Sequence, residues 1–137
     1  MNQFPSKNYF TMPNEIFSLG LDASEIAVYA YLRCLENPST YQCWPSYATI
    51  GKAIGRTKNT VMQYVDALSE KGLISTEPTS VLTKSRVKKN GNLRYTIRPI
   101  HEAIEIFHAR QLSAVERAAE RQRVQRKLSA MDLLPGA

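Results

Sequence analysis

Two side-chain amides stand one turn apart on a predicted helix, at Asn59 and Gln63. A side-chain amide can donate one hydrogen bond and accept another, which is how proteins contact the edge of adenine in the major groove of DNA. Just before them, Thr57, Lys58 and Thr60 place hydroxyls and a cation at the helix N-terminus, where backbone N–H groups also suit phosphate. The pattern predicts base contacts beside phosphate contacts. An ordinary polar helix face has the same residue types, so the prediction depends on the surrounding elements.

Those elements begin with residues 46–74, which contain two helical patterns separated by a break. Gly55 can adopt the positive φ that ends the first helix, and Thr57 can cap the second. The apolar residues at helical spacing are Tyr47, Ile50 and Ile54 in the first helix, and Val61, Val65 and Leu68 in the second. This layout predicts a helix-turn-helix, whose second helix, 58–71, would lie in the major groove.

The second helix has an outward face that changes character along its length. A period of 3.6 residues turns Asn59, Gln63, Asp66 and Glu70 outward, with Thr60 and Met62 beside them. Because carboxylates repel phosphate, we expect only the N-terminal half of this helix to enter the groove.

A β-hairpin with a long arm is predicted after this helix. Its candidate strands lie at 73–76, 81–83 and 93–97, and Asn90-Gly91-Asn92 supplies a tight-turn signal before the last one. The last strand alternates apolar with polar or basic residues, so one of its faces is apolar and the other basic. A hairpin in this position is a wing.

The wing segment 84–98 concentrates positive charge. It has no acidic residue, and its six cations equal the formal net charge of +6 of the whole protein. They are Lys84, Arg86, Lys88, Lys89, Arg94 and Arg98. Charged hairpin tips are also common as solvated protection for strand edges. Directly after a helix-turn-helix, however, the uncompensated cluster favours phosphate contact by residues 84–94.

Composition sets wider bounds. The 137 residues predict one domain with an extension, and 43% hydrophobic residues can supply a core. A pI near 9.5 suits a nucleic acid or another anionic partner. No apolar segment suggests a signal peptide or membrane span, and Cys34 and Cys43 lack metal-ligand spacing. We therefore expect reduced cysteines and a cytoplasmic location.

Enzyme chemistry has little support in the sequence. His101 and His108 lack the spacing of a metal pair, and there is no phosphate-binding glycine loop or nucleophile motif. Some enzymes that process nucleic acids attack with tyrosine, but four of the tyrosines lie in predicted core elements. These are Tyr29, Tyr31, Tyr47 and Tyr95. We expect no catalytic residue, no metal and no cofactor.

The N-terminal elements are predicted to support the helix-turn-helix. A brief helix at 14–19 precedes a capping box at Asp22 and Glu25. The helix behind it is apolar on most sides and is therefore expected to be buried, with Ile26, Tyr29, Ala30, Leu32 and Cys34 filling it. A polar loop then leads to Ser46, a good N-cap.

The last segment, 99 to about 129, is predicted to be one long helix, since it has no internal glycine or proline. Its apolar stripe weakens after Ala119, and residues 121–127 are basic. The stripe consists of Ile100, Ile104, Phe107, Ala114, Val115 and Ala118. The first half could pack on the preceding domain, 1–98, or on a second copy, and we favour packing with dimerisation. The basic half of segment 99–137 is either a solvated tail or a further DNA contact.

Several stretches within the first hundred residues also resemble a known family. They read FTMPNEIF at 10–17, VYAYL at 28–32, WPSY at 44–47, KNTV at 58–61 and LSEKGLI at 68–74. Together they resemble the winged helix-turn-helix domain of plasmid replication initiators and phage replication proteins of Gram-positive bacteria. The resemblance implies DNA contacts at Thr57, Lys58, Asn59, Thr60, Gln63 and Tyr64, and a role in replication, transfer or gene control of a mobile element.

The predicted fold is therefore mainly α with a small β-hairpin (α+β): a winged helix-turn-helix followed by a long C-terminal helix. The predicted function is sequence-specific binding of double-stranded DNA, by a chain that forms a homodimer through its C-terminal helix. The predicted contacts are Ser46, Tyr47, Thr57, Lys58, Asn59, Thr60, Gln63, Tyr64, Lys84, Arg86, Lys88, Lys89 and Arg94. The alternative is a protein-interaction module, because winged helices also serve as docking surfaces.

Overall fold

The computed structural model describes residues 8–82, 84 and 88–132. Within these ranges it confirms the predicted architecture, a helix-turn-helix with a wing and a long C-terminal helix. The elements are, in order, a 3-10 helix (Asn14–Ser18), α1 (Ala23–Leu35), β1 (Gln42–Cys43), α2 (Tyr47–Ile54), α3 (Lys58–Glu70), β2 (Ile74–Glu77), β3 (Ser80–Leu82), β4 (Lys88–Asn90), β5 (Arg94–Ile97) and α4 (Ile100–Asp132).

The helix-turn-helix forms through the predicted caps. The Ser46 hydroxyl accepts a hydrogen bond from the Thr49 N–H at 3.1 Å, and the Thr57 hydroxyl accepts one from the Thr60 N–H at 3.3 Å. Gly55 ends α2 in the left-handed region with φ of 74°. Each cap satisfies a backbone group that the helix end would otherwise leave unpaired.

The turn between α2 and α3 is tightly packed at Gly51, which is buried. A Cβ at this position would overlap the backbone oxygen of Arg56 and approach the Val61 side chain. The Arg56 N–H also donates to the Gly51 carbonyl at 2.9 Å. This close approach sets the position of α3 against α2.

The core lies where α1, α2 and α3 meet the sheet. The inward residues of α3, Val61, Val65 and Leu68, are at most 1% exposed. Tyr29 of α1 and Tyr95 of β5 are equally buried. The prediction that these two tyrosines are core residues is confirmed.

The capping box of α1 is also confirmed, since Asp22 and Glu25 exchange the two expected hydrogen bonds. The predicted burial of α1 on most sides is confirmed for residues 24–33, which are all buried or half-buried, and is wrong at its C-terminal end. Cys34 is exposed and Leu35 is 42% exposed. α2, α3 and β5 all contact α1, and Val28, Tyr29 and Leu32 are buried. Ile26, Ala30 and Tyr31 are half-buried, so only the ends of α1 are exposed.

The wing comprises β2, β5 and the segment between them, and β3 with β4 forms its arm. β5 lies between β1 and β2 in an antiparallel sheet, with Ile74 opposite Ile97. β3 pairs separately with β4, with Ser80 opposite Asn90. The short strand β1 was not predicted from the sequence.

The predicted tight turn at Asn90-Gly91-Asn92 does not connect two paired strands, because β4 and β5 belong to different sheets. The Gly91 N–H donates to the Thr79 carbonyl at 2.8 Å, which closes the base of the arm. The Asn92 amide donates to the Trp44 carbonyl at 3.1 Å and holds the chain beside α2. The residues therefore join the arm to the wing.

α4 contacts the core only along its first third. Ala103 is buried, and Ile100, Ile104 and Phe107 pack against the core. The Arg110 guanidinium donates to the Glu70 carbonyl at the end of α3, at 3.1 Å. The part of α4 beyond this contact extends away from the core and is exposed. In the described part of the chain, no helix is both long and apolar enough to cross a membrane.

Candidate nucleic-acid interface

The outward face of α3 is predicted to contact bases, and we call it the reading face. Its outward orientation is confirmed. Asn59, Gln63, Asp66 and Glu70 are exposed, while Thr60 is half-buried at the edge of the face. The N-terminal half of this face presents two uncharged amides and the C-terminal half two carboxylates. The acidic half is unsuited to phosphate, so a groove would have to be approached from the Asn59 end.

The hydroxyls at the helix N-termini serve chiefly as caps. Thr57 and Thr60 have their hydroxyl oxygens 2.8 Å apart, and Ser46 has the same relation to Thr49 at 2.9 Å. These bonds hold the first turns of α3 and α2, where unpaired N–H groups point outward. The Lys58 side chain, by contrast, is exposed at the start of α3. It is a point charge available beside the reading face.

A cleft of about 440 Å³ separates the N-terminus of α2 from the base of the wing. Ser46, Tyr47 and Lys58 line one side, and Asn90 and Asn92 line the other. The structure thus brings three of the predicted contact residues together with the base of the arm. These five residues contribute hydroxyl, amide and ammonium groups, which are donors suited to phosphate oxygens, although apolar residues such as Pro45 and Leu93 also line the cleft.

The two predicted tyrosine contacts are partly committed to the fold. Tyr47 and Tyr64 are half-buried and pack against the core. Burial raises the pKa of Tyr47, and the Asp66 carboxylate raises it further. Tyr47 therefore stays a neutral hydroxyl at physiological pH, able to donate a hydrogen bond into the cleft.

The prediction that the wing cations are uncompensated is wrong for two of the six. Arg94 forms an ion pair with Glu77 on the neighbouring strand β2. Arg98 pairs with Glu102 on α4 at 2.8 Å, and this hydrogen-bonded guanidinium holds the pKa of Glu102 below its ordinary value. Both acids lie outside segment 84–98 and are brought in by strand pairing and by the first turn of α4.

The remaining wing cations belong to the arm. Lys84 is exposed, and the backbone of Lys88 and Lys89 forms β4. Arg86 lies outside the described residues. DNA contact by all the predicted site residues stays a prediction.

Three further residues are exposed near the reading face but were not among the predicted contacts. Lys52 of α2 and Arg56 of the turn are exposed cations, and Arg56 directly precedes the cap of α3. Met62 is 43% exposed beside Asn59. The available signal for the two cations is their position within the helix-turn-helix, although the positive charge of the wing segment is denser in the sequence.

Residues 19–74 match a protein family described as a helix-turn-helix domain. The matched segment is less than half of the chain. It contains α1, α2 and α3, together with the first residue of β2, and so includes the whole outward face of α3. No curated protein matches the chain significantly.

The similarity to solved structures extends beyond residues 19–74. A structure titled "Possible transcriptional regulator from Methanosarcina mazei Go1" is 15% identical with a TM-score of 0.51, covering 78% of this chain and 81% of that one. A MarR-family transcriptional regulator from Silicibacter pomeroyi is 18% identical with a TM-score of 0.42, covering 89% and 79%. The S. aureus MepR–DNA complex is 15% identical with a TM-score of 0.43, covering 85% and 82%. At 15% identity, the likeness to the Methanosarcina mazei structure concerns the fold alone.

Proposed function

We propose that this protein binds double-stranded DNA with sequence specificity, with α3 in the major groove and the wing residues 84–94 on the backbone. The observation that carries the proposal is the exposed face of α3. Asn59 and Gln63 present uncharged donors and acceptors one turn apart, while Lys58 stands exposed at the N-terminal end of that face. Amides read base edges and cations hold phosphates, so the arrangement suits both parts of recognition.

The cleft beside α2 supports this orientation. A DNA backbone that passes over the N-terminus of α3 would meet the cleft lined by Ser46, Tyr47 and Lys58. The same path leads to the base of the arm at Asn90 and Asn92. The acidic end of α3, at Glu70, would then lie away from the phosphates.

The test is a titration of the protein against mixed-sequence duplex DNA at several salt concentrations. We expect the logarithm of the binding constant to fall linearly with the logarithm of salt concentration, by about 0.9 for each phosphate contacted. Absence of binding even at low salt would contradict the proposal. It would favour the alternative class, a winged helix that docks on another protein.

The biological setting we propose is control of transcription, replication or transfer on a mobile genetic element. Its support is the sequence resemblance to plasmid and phage replication proteins, together with a fold shared with a possible transcriptional regulator. Sequencing the DNA fragments that the protein selects from a library of host and element genomes tests this setting. Enrichment of promoters would indicate transcription control, and enrichment of origins a replication role. Enrichment of chromosomal sites alone would contradict a mobile-element role.

We also propose that the protein forms a homodimer through the exposed part of α4. Large apolar side chains are exposed along this part although the first third of the helix already packs on its own core. They are Leu112, Val115, Val124, Leu128 and Met131, each at least 47% exposed. Burial in a second copy would remove this apolar surface from water.

A measured solution mass tests the dimer. The variant carrying Leu112→Glu and Val115→Glu should have the mass of a monomer where the wild type has that of a dimer. The exposed polar residue Gln122 offers a matched control, since Gln122→Glu adds charge to the same helix without removing apolar surface. A wild-type protein that is monomeric at high concentration would contradict this part of the proposal.

A further inference from the structure

Met62 is the only large apolar side chain exposed on α3, a helix whose residues are all described. It lies one turn after Lys58 and Asn59 and one turn before Asp66, so all three are its neighbours on the helix surface. Its exposed fraction is 43%. The side chain thus forms an apolar spot inside the polar surface that includes both amides.

The major groove offers one apolar group, the 5-methyl of thymine. Wherever an amide reads adenine N6 and N7, the paired thymine presents that methyl on the same base-pair edge. A methionine side chain has no hydrogen-bonding demand of its own, and it is flexible and polarizable enough to fit a methyl at a small distance. Met62 and the Asn59 amide are therefore chemically matched to the two halves of an A·T pair, or to adjacent A·T pairs.

We propose that Met62 is a specificity-determining residue that contacts thymine methyl groups, and that the recognised DNA contains A·T pairs opposite the N-terminal half of α3. This inference rests on the proposed DNA-binding function and deepens it. It adds discrimination by an apolar contact to discrimination by the amides. It also assigns a role to a residue that the charge and hydrogen-bonding pattern did not select.

Exposure alone would not carry the inference, because single exposed apolar residues are common on protein surfaces. Leu35 on α1 shows this, with an exposed fraction of 42%. What distinguishes Met62 is its place between Asn59 and Asp66 on the face that α3 turns outward. Leu35 is consequently a matched control with the same exposure and a different location.

The experiment uses a duplex selected by the full-length protein from a random-sequence library. Each thymine is replaced in turn by deoxyuridine, which removes the methyl and leaves base pairing unchanged. At one or two positions we expect wild-type affinity to fall about fourfold, the effect of one methyl-sized group taken from water. Met62→Ala should bind the thymine and deoxyuridine duplexes equally. Met62→Leu and Leu35→Ala should keep the wild-type sensitivity.

The outcomes separate this inference from the function on which it rests. If the protein selects no sequence at all, the proposed function fails. If it selects a sequence but no deoxyuridine substitution changes wild-type affinity, the methyl contact is refuted while specific binding stands. Equal sensitivity in wild type and Met62→Ala would also refute it, because another side chain would then contact the methyl. Thermal unfolding of each variant establishes that the compared proteins are folded.

Discussion

Lys58 at the start of α3 and the base of the wing line the same cleft, yet α3 and the wing arrange their charges in opposite ways. α3 presents uncharged amides flanked by one cation, Lys58, and followed by acids. The wing is rich in arginine and lysine, but its base is neutralised: Arg94 pairs with Glu77 and Arg98 with Glu102. The other four cations of segment 84–98 belong to the arm in the sequence, at Lys84, Arg86, Lys88 and Lys89.

On the proposed function, this difference implies two roles. One is selection, the choice of DNA sequence by α3, and the other is attachment, the binding of phosphates by the arm. Base recognition requires groups that discriminate among hydrogen-bonding patterns, and excess charge there would bind every sequence alike. Attachment requires charge that phosphate can neutralise, and an arm that stands off the core can carry it with little desolvation. The paired arginines at the base stabilise the wing instead. Four variants, two of them double, test this division, beginning with the largest expected effect.

Gly51→Ala should abolish both selection and attachment by displacing α3. The added Cβ would overlap the backbone oxygen of Arg56, which the turn cannot move freely. Overpacking of this kind costs about 3 kcal/mol of unfolding free energy. Urea unfolding provides the measurement. Ala53→Gly on the exposed side of α2 is the control and should cost about 1 kcal/mol. Unchanged unfolding of Gly51→Ala would show that the turn is more tolerant than its packing indicates.

Asn59→Ala combined with Gln63→Ala should remove selection and leave attachment. Each lost two-point contact with a base should cost about 1–3 kcal/mol on the preferred sequence. Binding to unrelated duplexes should stay the same, because it depends on phosphate contacts. Competition between preferred and unrelated duplexes measures the effect. Gln125→Ala removes an exposed amide from α4 and serves as the control. An equal loss of affinity for both duplexes would show that these amides do not recognise bases.

The contrast between α3 and the wing also shows what the sequence could predict. The caps and the break of the helix-turn-helix depend on residues within a few positions of one another. Ser46, Gly55 and Thr57 therefore predicted α2 and α3 almost to the residue. The inward and outward faces of α3 followed from its period alone. Local chemistry was sufficient for the reading face.

The wing depends on contacts between distant residues, and there the sequence was insufficient. β1 has two residues and exists because the edge of β5 is available to it. Glu77 meets Arg94 only through the register of β2 against β5. A count of charges along the chain cannot show that pairing. Segment 84–98 was therefore predicted to carry more uncompensated positive charge than it does in the folded protein. The hairpin turn predicted at Asn90-Gly91-Asn92 was wrong for the same reason. The strands on either side of it pair elsewhere, β4 with β3 and β5 with β1 and β2.

Lys88→Gln combined with Lys89→Gln should weaken attachment and leave selection. Removal of two phosphate contacts would lower the salt-dependence slope by about 1.8. Affinity at physiological salt should fall several-fold on preferred and unrelated duplexes alike, since these contacts carry no sequence information. Fluorescence anisotropy at several salt concentrations measures both quantities. If affinity fell for the preferred duplex only, the arm would have to contact bases. That result would contradict the proposed division between α3 and the wing.

Glu77→Gln has the smallest expected effect and tests the neutralised base of the wing directly. Loss of this carboxylate leaves Arg94 without its ion-pair partner and free to meet phosphate. DNA affinity should rise slightly, with a salt-dependence slope steeper by at most about 0.9. The stability cost should be below about 1 kcal/mol, because both side chains of the pair are partly exposed to solvent.

The control for Glu77→Gln must change net charge equally without releasing Arg94. Glu105→Gln does so, since Glu105 is exposed on α4, outside the wing. A steeper slope for Glu77→Gln than for Glu105→Gln would show that the ion pair withholds a cation from DNA. Equal slopes would mean that total charge alone governs attachment. The base of the wing and the arm would then contribute to DNA binding in the same way. The ion pairs at the base would matter for stability only.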